Sequence, residues 1–228
     1  FEQAAAKFVL ENQHKASIRS DIGRLKSLMP WIGQERLDRL HRGTLDPWIK
    51  HRRKEGMAVG TINHGLQVVR RILNLASGEW IDEHGLTWLA SAPNIRQLRV
   101  TDKRPPYPLS WEEQAKLFKQ LAPHLAEMAL FAVNTGCRDG EICQLRWEWE
   151  VKVPKFETSV FIIPGRYVKN GDERLVVLNP IAGSVIEARR GKHETHVFSY
   201  RGKPVKRMLN SGWLRARKLA GLEQVRVH

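Results

Sequence analysis

The sequence is poor in cysteine and tyrosine and contains no long apolar run. Its only two cysteines, Cys137 and Cys143, fall within one predicted helix, at a spacing that suits neither a disulfide framework nor a zinc site. The setting expected is therefore reducing and cytoplasmic. No stretch approaches the ~20 apolar residues of a membrane-spanning helix, and no signal peptide opens the chain, so no membrane partner is expected. Internal repeats and low-complexity segments are also missing. The acidic residues after Pro106 are scattered, which does not suggest the carboxylate cluster that a metal-dependent nuclease or transposase requires. His193 and His196 share a spacing that zinc sites use, but two further ligands do not stand nearby. Neither a metal nor a cofactor is expected. Tyrosine occurs only at Tyr107, Tyr167 and Tyr200. The chain starts at Phe1, without a methionine, and ends at His228, and the expectation is an excerpt of something longer.

Positive charge is what the chain has in excess. Its 228 residues include 38 Lys and Arg against 24 Asp and Glu, a formal net charge of +14. Up to Pro105 there are 18 basic and 11 acidic residues, and from Pro106 onward 20 and 13, a net of +7 in each part. The charge is thus not a basic tail on a neutral protein. Two basic folded units suit a polyanion gripped from two sides, and double-stranded DNA is the expected partner.

Periodicity gives a mainly α chain with a small β-sheet, an α+β protein. Helices are predicted over 2–12 and 17–29, the second ended by Pro30. Asp46-Pro47 starts another, which closes on His51-Arg52-Arg53-Lys54; Arg52, Arg53 and Lys54 suit the helix dipole and are candidate phosphate contacts. The helix over 61–76 carries an apolar stripe of Ile62, Leu66, Val69 and Leu73. On another face Asn63, Gln67, Arg70 and Asn74 repeat at the same spacing, a polar face able to read base edges, though a solvated face has the same composition. Arg70 and Arg71 are candidate phosphate contacts. A basic, proline-closed linker over 97–106, with Lys103 and Arg104, separates a first domain over 1–96 from a second over 107–228.

In the second part, Ser110-Trp111-Glu112-Glu113 has capping-box spacing and starts a helix to about Leu121. Another helix starts at Pro123 and runs into Thr135-Gly136, and a third spans Arg138 to Trp147. The period then changes. Val160–Ile163 and Leu175–Leu178 read as strands, and Asn170-Gly171 between them signals a hairpin with Lys169 at its tip. A helix over 181–190, a short strand at 196–198 and a last helix over 205–220 complete the reading.

One stretch carries more than local structure. Thr135-Gly136-Cys137-Arg138-Asp139-Gly140-Glu141 continues to Leu145 and Trp147, a pattern Thr-Gly-x-Arg-x-x-Glu-x-x-x-Leu-x-Trp. Arg138 and Glu141 share a helix face at this spacing, which by itself describes a surface ion pair. The longer pattern resembles the first motif of the tyrosine recombinases, the phage-integrase type of DNA strand-exchange enzyme. Lys169 to Leu178 is similar to that family's lysine hairpin. Val225-Arg226-Val227-His228 resembles the approach to its His-x-x-Arg motif.

The resemblance implies a helical, SAM-like core-binding domain followed by a tyrosine-recombinase catalytic domain. It further implies site-specific DNA recombination or integration by metal-independent cleavage and rejoining, through a 3′-phosphotyrosine that conserves bond energy without ATP. Arg138 would hold the scissile phosphate, Lys169 would protonate the 5′ leaving oxygen, and His228 would bond a phosphate oxygen or assist proton transfer. Glu141 would orient Arg138. The family works as a tetramer on two paired sites. Its nucleophile comes after the position of His228, whereas all three tyrosines here precede it, so the expectation is that these residues bind DNA without cleaving it. Charge and helix faces also suit a non-catalytic DNA-binding or architectural protein. A type IB topoisomerase shares the chemistry, and the N-terminal helical part favours the recombinase over it.

Overall fold

The computed structural model describes every residue except Lys103, Arg104, Glu157, Val227 and His228. The chain divides into two compact units, Phe1–Pro105 and a second that starts at Pro106.

The first unit is built around one helix. Helices α1 (Glu2–Glu11), α2 (Ile18–Ile32), α3 (Asp46–Lys54) and α4 (Val59–Gly78) pack so that α4 touches the other three. Its sequence explains the central place. Ile62, Leu66, Val69 and Leu73 are buried as the periodicity predicts, but so are Val68, Ile72, Leu75 and Ala76, so apolar residues cover most of its circumference. What stays exposed is a narrow polar stripe of Thr61, His64, Gln67, Arg70, Arg71 and Asn74. Small residues Ala4 and Ala5 beside Phe8 form the buried face of α1. The second helix runs past Pro30 to Ile32 instead of stopping there. A proline in a last turn deletes only one backbone bond, and Gly33 N–H still closes on the Met29 carbonyl at 2.9 Å.

The segment predicted as a linker is stitched to this unit as far as Asp102. Leu98 N–H donates to Asn63 Oδ1 and Asn63 Nδ2 donates to the Leu98 carbonyl, both at 2.8 Å. Asp102 accepts from Val59 N–H at 2.8 Å, satisfying a first-turn donor of α4. Glu11 similarly receives the Trp80 indole N–H at 2.8 Å, fastening the turn after α4 to α1.

The second unit is α+β. Helices α5 (Trp111–Gln120), α6 (Pro123–Thr135) and the single turn α7 (Asp139–Cys143) lead into an antiparallel sheet ordered β1 (Glu150–Val153), β2 (Thr158–Ile163), β3 (Arg174–Val177). Helix α8 (Pro180–Arg189), a small hairpin of β4 (Ser199–Tyr200) and β5 (Lys203–Pro204), and α9 (Ser211–Leu219) come next. The Ser110–Glu113 capping box forms as its spacing predicts. Phe161 and Val176 pair across β2 and β3 on the buried face of the sheet and join Phe131, Ile163, Val185, Ile186, Phe198 and Met208 in one core.

Three elements differ from the periodicity. The helix predicted over 138–147 ends at Cys143, because Leu145 and Trp147 turn to an extended exchange: Val197 N–H donates to the Leu145 carbonyl at 2.9 Å and Trp147 N–H to the Thr195 carbonyl at 3.1 Å. The strand predicted over 196–198 is accordingly a bridge from His196 to Arg146, with the paired hairpin just beyond it. The last helix starts at Ser211, not at 205. Asn210 caps it by accepting from Trp213 N–H at 3.1 Å, while Met208 N–H upstream is held by the Asp139 carboxylate at 2.7 Å. Among the described residues no helix is long and apolar enough to cross a membrane.

Candidate functional site

The Thr135–Glu141 stretch folds around a change of backbone hand. Helix α6 ends as Gly136 takes the left-handed conformation, φ +63°, a position that strains any residue with a Cβ. The Thr135 hydroxyl, donating to the Phe131 carbonyl at 2.8 Å, also accepts from Cys137 N–H at 3.3 Å. Cys137 then points into the core, and Arg138 stands at the entrance to α7 with its side chain 48% exposed.

Glu141 is the hub of the arginine cluster. Its side chain is 3% exposed; it accepts from Arg138 N–H on Oε2 and from Arg138 Nη1 on Oε1, both at 2.9 Å, and forms an ion pair with Arg174 Nη1 at 2.9 Å from Oε2. The first is the glutamate half of a capping box. The other two surround a buried carboxylate with two guanidinium groups, the kind of pairing that offsets the cost of removing its charge from water. One carboxylate against two cations leaves a positive excess on the side where Arg138 meets solvent. An exposed, braced guanidinium of this kind has donors free for an anion such as a phosphate or a carboxylate.

Arg174 was not singled out by sequence reasoning. It opens β3, reaches back to Glu141, and donates Nη2 to the Gly136 carbonyl at 2.9 Å. Its partners lie 33 and 38 residues upstream, and the only local signal was an arginine directly before an alternating strand. A second tie lies just past the far end of β3, where Asn179 Nδ2 donates to Asn134 Oδ1 at 2.8 Å.

Lys169 is exposed on the connection between β2 and β3. That connection is longer than a two-residue turn: a 3-10 turn at Gly165–Tyr167 precedes a turn over Val168–Gly171 closed by Gly171 N–H to the Val168 carbonyl at 3.1 Å. Gly165 packs so close to the Gly171 carbonyl that a Cβ would sit 2.0 Å from its oxygen. Val168 is buried, and Tyr167 lies against Trp149 at 4.9 Å, so the lysine stands on a fastened loop.

Of the other candidates, Arg53, Lys54, Gln67, Arg70 and Arg71 are exposed, and Arg52 is half-buried and paired with Glu55. Asn63 does not belong with them. It is 4% exposed and both atoms of its amide serve Leu98, so it holds backbone instead of facing a base edge. His228, Lys103 and Arg104 lie outside the described residues. Tyr107 bonds Glu113, Tyr167 packs on Trp149, and Tyr200 stacks on His124 at 4.1 Å. Burial pushes the Cys137 thiol up, and burial with the Asp139 carboxylate pushes Cys143 up to about 12, so both are inert thiols of the core. Among the described residues no three or more His, Cys, Asp or Glu side chains gather as a metal site.

No protein-family model matches the chain. It is 27% identical over 187 residues to the integrase of Salmonella phage P22, covering 75% of this chain and 45% of the phage protein. The chain thus spans less than half the length of that relative. Among solved structures, lambda integrase (75-356), as a dimer bound to a COC' core site, superposes with a TM-score of 0.75 at 13% identity, over 97% of this chain and 79% of that one. Lambda integrase as a tetramer bound to a Holliday junction gives 0.68 at 16% identity, over 96% of this chain and 66% of that one. At such identities the superpositions speak for the fold. The chain is thus similar in sequence to a phage integrase and has the fold of lambda integrase.

Proposed function

We propose that the chain grips double-stranded DNA and supplies the phosphate-binding part of a site-specific recombination site of the integrase type. In this reading Arg138 takes a non-bridging oxygen of the scissile phosphate, and Lys169 protonates the 5′ leaving oxygen as a tyrosine other than Tyr107, Tyr167 and Tyr200 attacks the phosphorus and becomes bonded to the 3′ phosphate. Positive groups placed where charge develops do the work a metal ion does elsewhere. His228 completes the set by its place in the motif order. Arg53, Lys54, Arg70 and Arg71, with Gln67, give the first unit its phosphate and groove contacts, so that it acts as the core-binding clamp. A tetramer on two paired sites is the assembly this chemistry uses. Two buried, unpaired cysteines suit a reducing cytoplasm.

The observation that carries the reading is the half-exposed Arg138 guanidinium braced from behind by a buried Glu141. A free carboxylate near a phosphate would repel it; one saturated by two arginines does not. Tyr107, Tyr167 and Tyr200 all precede His228, whereas the nucleophile of the recombinases follows that position, and the Tyr107 hydroxyl is further bonded to Glu113. These 228 residues are accordingly expected to bind duplex DNA without forming a covalent adduct.

The test is affinity for duplex DNA as a function of salt. Contact with ~6–10 phosphates gives a loss of about 10³–10⁵ in affinity between 50 and 200 mM salt. A flat response removes the DNA assignment, and a covalent protein–DNA band with a nicked duplex overturns the assignment of the tyrosines.

A further inference from the structure

We infer that Arg174 is a positioning residue, which fixes Arg138 through their shared carboxylate and couples the Lys169 hairpin to the Arg138 loop. The inference rests on Arg138 and Lys169 acting on a phosphate, as proposed above. Arg174 makes two contacts that flank Arg138 in sequence, Gly136 two residues before it and Glu141 three after, each at 2.9 Å. The guanidinium thus staples the two sides of the loop from which Arg138 projects. It uses the Glu141 oxygen that also receives Arg138 N–H, while the other oxygen receives Arg138 Nη1. The carboxylate cannot turn toward one arginine without releasing the other.

The same residue opens β3, opposite Ile163, five positions after Lys169. A displacement of the lysine hairpin therefore pulls on the loop that presents Arg138, and the Asn179–Asn134 bond reinforces the link just past the far end of the strand. Each terminal nitrogen of Arg174 already meets a protein acceptor, so its contacts serve the loop, and the double variant below tests whether it also meets a phosphate of its own. Lysine cannot replace it, since a single ammonium lacks the planar fork that reaches a carboxylate and a carbonyl together.

The experiment compares the whole chain with Arg138→Ala, Arg174→Lys, Arg174→Ala and the Arg138→Ala/Arg174→Ala double variant. Two quantities are read: the salt slope of affinity for a duplex oligonucleotide, and the order of the Arg138 Nε–Hε bond by ¹⁵N relaxation. Arg174→Lys keeps the charge, yet it is expected to lower the salt slope by about 1, as Arg138→Ala does, with the double variant no worse. Arg138 should lose side-chain order in both Arg174 variants. A wild-type slope with unchanged Arg138 order in Arg174→Lys overturns the inference. So does an additive double variant, whose slope falls by about 2, because Arg174 then meets a phosphate of its own. Should Arg138→Ala leave the slope unchanged, the proposed function fails. The relaxation measurement still decides the inference, with retained Arg138 order against it and lost order for it. Arg174→Lys folding with a native spectrum keeps the test open if Arg174→Ala does not fold.

Discussion

Replacing Glu141 by Gln removes one charge and almost no volume, which makes it a direct probe of the bracing. The carboxylate is 3% exposed, accepts two hydrogen bonds from Arg138 and pairs with two guanidinium groups, each at 2.9 Å. The amide keeps one acceptor oxygen and turns its NH2 toward donors. Breaking a buried ion pair from one side costs about 3–5 kcal/mol. Arg138 and Arg174 are 48% and 26% exposed, so water rehydrates them in part, and the lower end, about 3 kcal/mol, is the better figure. For a folded unit of this size that corresponds to a fall in Tm of roughly 10–15 °C. Thermal unfolding tracked by circular dichroism, with Arg138→Ala and Arg174→Ala alongside, measures it. DNA affinity adds a test of sign. The variant is more positive by one charge, so Coulomb attraction alone tightens binding, whereas loss of a positioned Arg138 weakens it. Unfolding within about 0.5 kcal/mol of wild type, with tighter DNA binding, would refute the bracing argument.

Particular groups give three further expected outcomes. Gly136→Ala places a Cβ at φ +63° and is expected to cost about 1–2 kcal/mol, seen as a lower urea midpoint with an unchanged m-value. Cys137 and Cys143 should resist alkylation at pH 8 until the chain unfolds, because burial raises both thiols and Cys143, at about 12, is thiolate at only ~10⁻⁴ there; rapid labelling of the native chain contradicts the burial. Hydrogen bonds from Arg190 hold the Glu150 carboxyl below its ordinary range. Its contribution is thus present above the unfolded pKa of about 4.5 and lost as pH falls through the lower folded value. Glu150→Gln should flatten the acid limb of the stability profile, and an unchanged limb contradicts that assignment.

The sequence spoke most clearly where chemistry is local. Helix stripes, the Ser110 cap and the Asn-Gly turn signal depend on residues within a few positions, and these elements form, although the Asn210 cap delays the start of the last helix by six residues. It failed where a distant partner decides. The helix after Arg138 stops early because Leu145 and Trp147 find strand-like partners near Thr195 and Val197, which no periodicity contains. Asn63 sits at the right spacing for an exposed polar face, yet α4 is buried on so many sides that this amide turns inward to Leu98. Arg138 and Glu141 were legible as a pair because they are three residues apart. Arg174 completes the same cluster from another element, and its role was invisible without the fold.

The central claim, that Arg138 is aimed at a backbone phosphate, is tested most directly by the salt slope of duplex binding for wild type and Arg138→Ala. An exposed lysine outside the cluster, Lys119→Ala, serves as the control for lost charge. If Arg138 grips a phosphate, its removal lowers the slope by about 1 and weakens binding to all duplexes alike, while the control leaves the slope in place. Equal slopes for wild type and Arg138→Ala would contradict the account.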